Sequence, residues 1–202
     1  MENMDVYLAN KAAKGDIEAF ETLIIKYEKT IYNIALRMMI SPEDAKDVSQ
    51  NVLIKIYNNI SRFKGDSLFS TWIYRITVNT CIDEIRKNKR KSEISMDDED
   101  AGVGRVIQDT NLTPEQSAIE KEGYNSIITA INELPEEYKT VITLRDIEGF
   151  SYQEVAEITE CSLGTVKSRI SRARAKLKEL LLEKGELIES SGRLTYKKGG
   201  KS

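Results

Sequence analysis

The apolar residues Phe20, Leu23, Ile24, Tyr27, Ile31, Ile34, Ala35 and Met38 recur three and four positions apart. That spacing gathers them into a stripe on one face of an α-helix, and Asp16 ahead of them offers an N-cap oxygen. A second helix opens at Ser41-Pro42: the serine caps, proline suits the first turn, and Asp44 lies near the positive end of the helix dipole. Its stripe is Ala45, Val48, Val52, Ile56 and Ile60, and its other face carries Asp44, Asp47, Asn51 and Lys55. The loop Lys64-Gly65-Asp66-Ser67 then breaks the period before Trp72 and Ile76 begin a long helix. The pattern predicts a bundle of about four helices over residues 1–91.

From Ser92 to Pro114 the helical period disappears and turn residues and acids take over. We read 92–114 as a flexible acidic linker. Beyond it, Ile119, Ile127, Ile128 and Ile131 form one apolar segment, and Pro135 and Gly149 bracket a helix with Tyr138, Val141, Ile142 and Leu144. Ser151-Tyr152-Gln153-Glu154 is a capping box. After a turn at Glu160-Cys161, Ser162 caps a last helix whose apolar positions are Val166, Ile170, Ala173, Leu177 and Leu180. A short helix, a tight turn and a longer basic helix is helix-turn-helix order. The expected fold is therefore all-α, with two small helical domains, 1–91 and 115–185, the second containing the helix-turn-helix; a disordered tail is expected over 186–202.

Composition narrows the chemistry. The 202 residues include no histidine, which removes His-dependent triads and His-containing zinc sites. No Gly-rich phosphate loop, nucleophile elbow or CxxC pair is present either, so no cofactor is expected and enzyme readings lose most of their ground, with carboxylate or lysine chemistry still open. Cys81 and Cys161 each fall in a helical apolar pattern and read as reduced core thiols. With no apolar run of about 20 residues and no signal-peptide order at the N-terminus, a cytoplasmic location without membrane insertion is expected.

The net charge of -3 conceals a sorting of charge. Arg86, Lys87, Lys89, Arg90 and Lys91 form one basic cluster; Lys167, Arg169, Arg172, Arg174, Lys176 and Lys178 form another. Local fields of this kind are what a phosphate backbone meets. On the last helix Thr165, Ser168, Arg169, Arg172 and Lys176 are expected on the side opposite the apolar stripe, where they suit DNA: arginine forks fit guanine O6 and N7, while hydroxyls and lysines reach phosphates or base edges. For a lone helix a solvated basic face is an equal alternative, and the capped short helix ahead of it favours DNA. The long helix with its preceding loop suits melted DNA, with Lys64, Asp66 and Ser67 better placed to touch a base than Trp72, which reads as core. Asn79, Asp83 and Arg86 fall on successive turns, as a contact surface or as an intrahelical network. The Asp44 and Asp47 face is either simply solvated or docks a partner helix.

These residues resemble the extracytoplasmic-function (ECF) class of bacterial RNA polymerase sigma factors. The resemblance runs from Gly15-Asp16 and Ala19-Phe20 through Asp44-Ala45-Lys46-Asp47-Val48-Ser49-Gln50 to Phe63 and Ser67-Leu68-Phe69-Ser70-Thr71-Trp72-Ile73-Tyr74-Arg75-Ile76, then Asn79, Asp83 and Arg86. It resumes at Leu134-Pro135-Glu136-Glu137-Tyr138 and continues over Gly149-Phe150-Ser151-Tyr152-Gln153-Glu154-Val155-Ala156 to Gly164-Thr165-Val166-Lys167-Ser168-Arg169 and Arg172-Ala173.

The resemblance implies a non-enzymatic initiation factor that binds core RNA polymerase, at the clamp of the largest subunit, through Asp44, Asp47, Gln50 and Asn51. It implies that Lys64, Asp66, Ser67, Asn79, Asp83, Arg86 and Lys87 read the minus-ten promoter element. Ser162, Thr165, Lys167, Ser168, Arg169, Arg172 and Lys176 would read the minus-thirty-five element, the acidic linker would thread toward the polymerase active site and RNA exit, and an anti-sigma factor would be a further partner. Two positions depart from the pattern: Asn51 stands where glutamate is common, and Glu160 stands in the turn where glycine is common, at a cost of about 1 kcal/mol if the backbone needs positive φ. The competing readings are a dimeric helix-turn-helix regulator of duplex DNA and an acidic helical adaptor with no DNA role.

Overall fold

The computed structural model describes residues 2–94 and 127–183. Most of the expected linker, the Ile119 position and the tail lie outside these residues.

Local capping sets the helix starts. Asp16 Oδ1 accepts the Ala19 amide at 3.0 Å and opens α2 (Ile17–Ile25). The helix expected to run from there to Met38 is interrupted at Lys26-Tyr27, and α3 (Glu28–Met38) continues the same stripe. At the break the Tyr27 amide reaches back only to the Ile24 carbonyl, at 2.8 Å. A helix that the pattern did not announce explains the interruption: α1 (Glu2–Ala12) packs on α2 and brings in buried Asp5, which accepts the Tyr27 hydroxyl and the Lys26 ammonium. Burial, with Asp5 second, raises the Tyr27 phenol well above its ordinary pKa.

Ser41 Oγ accepts the Asp44 amide at 3.0 Å and starts α4 (Pro42–Asn59), whose Ala45, Val48, Val52 and Ile56 are buried as the pattern predicts. A 3₁₀ turn (Ile60–Arg62) and a loop with Gly65 at φ +79° lead to α5 (Phe69–Ile94). Gly65 supplies a backbone conformation that costs L-residues energy. α5 carries on past the expected boundary at 91. Trp72 is half-buried, its ring 5.6 Å from both Phe63 and Phe69, which bears out the core reading.

In the second domain α6 (127–132) buries Ile131, leaves Ile128 half-buried and exposes Ile127, so only part of that segment packs as expected. α7 (Glu136–Ile142) follows Pro135 and loosens into a π-helical stretch, Thr143–Ile147, where the Glu148 amide bonds the Thr143 carbonyl. α8 (Tyr152–Thr159) opens with the capping box: the Glu154 amide bonds Ser151 Oγ at 3.1 Å and the Ser151 amide bonds Glu154 Oε2 at 2.7 Å. Glu160 ends it at φ 53°, the left-handed conformation in which glycine costs less. In α9 (Leu163–Glu183) Val166, Ile170 and Ala173 are buried, whereas Leu177 and Leu180 are only half-buried.

The two domains are docked, and one apolar core runs through both. α5 packs on α7 and α8, and α3 packs on the π-helical stretch. Tyr74 meets Phe150 edge to face at 5.1 Å, and Lys139 on α7 is buried with the Cys81 thiol of α5 as its electrostatic neighbour. Among the described residues no helix is long and apolar enough to cross a membrane.

The Lys139 site makes stability depend on pH. Burial lowers its pKa from 10.5 to about 8, and burial pushes the Cys81 thiol from 9.0 up to about 12. Above pH 8 the unfolded chain holds a proton on Lys139 that the folded chain has released, so stability rises with pH. From about pH 9 the Cys81 thiol, ionising only when unfolded, opposes that gain. The denaturation midpoint is therefore expected to climb between pH 8 and 9 relative to Lys139→Met, whose profile should be flat there. Parallel profiles would show that Lys139 keeps its proton in the fold.

Candidate nucleic-acid interface

The basic helix α9 is held as the second helix of a helix-turn-helix. Its N-terminal turn is fastened by Ser162, whose Oγ accepts the Thr165 amide at 3.1 Å and lies 2.8 Å from the Thr165 hydroxyl. Ala156, 7% exposed in the middle of α8, leaves room for the close crossing of the two helices. Lys167, Ser168 and Arg172 face solvent, and Lys176 pairs with Glu179 at 3.0 Å. Ser168 Oγ donates to the Thr165 carbonyl at 2.9 Å. In such a motif the N-terminal turns of the second helix enter the major groove.

Arg169 sits differently from the expectation. At about 100° per residue it lies about 70° from the middle of the Val166, Ile170 and Ala173 stripe, beside the core and not opposite it. Its guanidinium is held at home: Nη2 is 3.0 Å from Glu137 Oε2 and Nη1 donates to Cys161 Sγ at 3.0 Å. Arg172 and Ser168 are the residues that lie on the far side.

On α5, Asn79, Asp83, Arg86 and Lys87 are all exposed at the helix surface, and the row has partners outside its own helix. Lys55 of α4 donates to Thr80 Oγ1 at 3.1 Å and lies 3.8 Å from Asp83. The Arg86 fork grips both carboxylate oxygens of Glu136 on α7, and Lys87 pairs with Glu84 at 3.1 Å. An intrahelical network is thus the lesser part of what this row does. In the loop before α5, Lys64 and Asp66 are exposed and Ser67 is half-buried. Asp47, Gln50 and Asn51 share an exposed face of α4, with Asp44 half-buried in its first turn.

Arg86, Asn79, Glu136, Glu137, Thr140 and Arg169 line one polar cleft between α5 and the second domain. Residues expected to read two different promoter elements therefore face each other. The sequence reading missed Glu136, Glu137 and Arg75, whose Nη1 lies 3.0 Å from Glu160. The acid pair after Pro135 was the available signal for the first two. Such a surface can bind anionic backbones through its arginine forks. Among the described residues no cluster of three or more potential ligands could hold a metal ion.

Two family models match: "Sigma-70 region 2" over residues 23–91 and "Sigma-70, region 4" over residues 124–177. The chain is 34% identical to the RNA polymerase sigma-H factor of Pseudomonas aeruginosa over 183 residues, covering 89% of this chain and 95% of that one. It is 38% identical to the ECF RNA polymerase sigma-E factor of Haemophilus influenzae, covering 84% and 91%. Its fold resembles the sigma factor RpoE solved in complex with the anti-sigma factor NepR from Bartonella quintana, with a TM-score of 0.64, 26% identity, and coverage of 81% and 96%.

Proposed function

The chain belongs to the ECF class of the sigma-70 family, and from that premise we propose how its parts divide the work of a factor that binds core RNA polymerase and directs promoter-specific initiation. Residues 1–91, extended by the last turn of α5, bind the polymerase clamp through Asp44, Asp47, Gln50 and Asn51. The same domain reads the melted minus-ten element with Lys64, Asp66, Ser67, Asn79, Asp83, Arg86 and Lys87. Residues 115–185 read the minus-thirty-five duplex with Ser162, Thr165, Lys167, Ser168, Arg169, Arg172 and Lys176. The polymerase supplies the chemistry and this chain none; it acts in the cytoplasm, where the enzyme is. An anti-sigma factor is its second protein partner, as one is for RpoE of Bartonella quintana.

The observation that carries this reading is the helix-turn-helix α8–α9, with its basic outer face, on the same chain as the polar row of α5. Run-off transcription from a promoter library, with core polymerase and with or without the protein, tests it. Promoter-specific transcripts are expected only when both are present. Tight palindromic DNA binding by the free chain, with no stimulation of core, would favour the dimeric regulator.

The polymerase face has its own test. Asp47 is exposed, and Asp44 stands in the first turn of α4. Combining Asp44→Asn with Asp47→Lys is expected to weaken core binding about tenfold, equivalent to ~1.4 kcal/mol, while changing stability by less than about 1 kcal/mol. Unchanged affinity for core in a folded double variant would remove this face from the interface.

A further inference from the structure

We propose that Asp5, on the first helix, is a positioning residue for promoter reading: through the rings of Tyr27 and Phe69 it fixes the loop 64–68 that precedes α5. This rests on the assignment of that loop to the melted minus-ten element made above, and adds the residue that holds the loop in shape.

The loop is tied at both ends by aromatic rings. Phe63 and Phe69 flank it and meet edge to face at 5.0 Å, so one ring pair closes its mouth. Trp72, a turn into α5, leans on both at 5.6 Å. Within the mouth Gly65 takes φ +79° and Ser67 Oγ bonds the neighbouring Leu68 carbonyl at 3.4 Å. A segment of five residues held in this way takes its shape from where its ends are held.

Phe69 is seated in turn against Tyr27, ring to ring at 5.9 Å, and Tyr27 meets Tyr74 of α5 at 6.0 Å. Phe69 and Tyr27 are both buried. Edge-to-face pairs depend on the angle between the rings, so the plane of Tyr27 sets the seat of Phe69. The hydroxyl is the handle on that plane. It donates to Asp5 Oδ2, while Lys26 donates to Asp5 Oδ1 at 2.8 Å and lies 5.2 Å over the Tyr27 ring.

Asp5 also sets the register of its own helix. The core side of α1 is Asp5, Leu8, Ala9 and Ala12, at helical spacing, with Leu8 only half-buried. Two alanines and part of a leucine bury little apolar area, and a buried, bonded carboxylate among them specifies register more than it adds stability. The same helix packs on the 3₁₀ turn Ile60–Arg62, which enters the loop, and on α5, which leaves it. α1 therefore supports the loop twice, and does so from ahead of residues 23–91, the part matched to Sigma-70 region 2.

Trp72 is the one tryptophan of the sequence, so its emission in the full chain reports the anchor of the loop. In Asp5→Ala and in Tyr27→Phe the emission is expected to move to longer wavelength, and acrylamide quenching to rise about twofold as the cluster loosens locally. Holoenzyme made with either variant should lose discrimination among single-base changes of the minus-ten element by about tenfold, the order of what one stacked base contributes. Preference at the minus-thirty-five element and affinity for core should not move. Asp5→Asn keeps an oxygen for the Tyr27 hydroxyl and should restore most of both readouts. Adding Tyr27→Phe to Asp5→Ala should cost nothing further, because the two remove one interaction. Val48→Ala is the control: it opens the core of the same domain about 18 Å along α4 from the 3₁₀ turn, and should leave Trp72 emission and minus-ten preference alone.

Unchanged Trp72 emission in Asp5→Ala and Tyr27→Phe would overturn the support. A shifted emission with minus-ten discrimination intact, or an equal loss of discrimination in Val48→Ala, would overturn the positioning role and leave Asp5 to stability alone. Should Asp5→Ala fail to fold, Tyr27→Phe, which keeps the ring and removes only the hydroxyl, decides the matter. A wild-type holoenzyme indifferent to every minus-ten base would remove the assignment of the loop, whatever Trp72 shows.

Discussion

Ile73→Ala is expected to lower the unfolding free energy by about 2–5 kcal/mol, the range for truncating a buried isoleucine to alanine in a close-packed core. Ile73 is fully buried near the start of α5, the helix that packs on α3 and α4 in its own domain and on α8 across the seam. The loss combines the transfer free energy of the missing atoms with the cavity left behind, since helices clamped on several sides close in only partly. Ile73→Val should cost about 0.5–1.5 kcal/mol. Ile54→Ala, on an exposed part of α4, should stay within about 0.5 kcal/mol of wild type. Urea denaturation of the three variants measures this, read as a shift in midpoint with unchanged slope. If Ile73→Ala and Ile54→Ala unfold together, α5 is not the centre of the core.

What the sequence revealed was what is decided locally. The caps at Asp16, Ser41, Ser151 and Ser162 each bond an amide three residues on, so a window of four residues contains the whole interaction. The stripes of α4 and the first half of α9 followed for the same reason. The break at Tyr27 was hidden because its cause, Asp5, lies 22 residues away on a helix whose own apolar pattern is weak. The domain seam was hidden more deeply. Arg75 finds Glu157 across 82 residues and Arg86 finds Glu136 across 50, distances at which spacing carries no information. Arg169 was legible and misjudged: helical arithmetic alone places it beside the apolar stripe, and the acid pair after Pro135 offered its partner.

The recognition helix carries the other large effect. Arg172 is exposed on α9, clear of the buried stripe, so Arg172→Ala is expected to remove the proposed DNA contact without opening the core. Arg169→Ala frees Glu137 and the Cys161 sulfur at a part-exposed site, and the fold should tolerate that as well. Position along the helix separates their roles. Arg169 is nearer the N-terminal turns that enter the groove deepest, and once released from Glu137 it should fork onto a base, whereas Arg172, a turn further on, should hold backbone. Loss of a base-reading fork costs about 1–3 kcal/mol and relaxes preference at one minus-thirty-five position. Loss of a phosphate contact weakens binding evenly across sequences and reduces the salt slope by about one. Transcription by holoenzyme from single-base promoter variants, at two salt concentrations, reads both signatures. Because Arg169 must first leave Glu137, Glu137→Gln should raise the activity of the wild-type arginine at limiting core and do nothing in the Arg169→Ala background. Unchanged promoter preference and unchanged activity in both arginine variants would remove this face of α9 from the DNA.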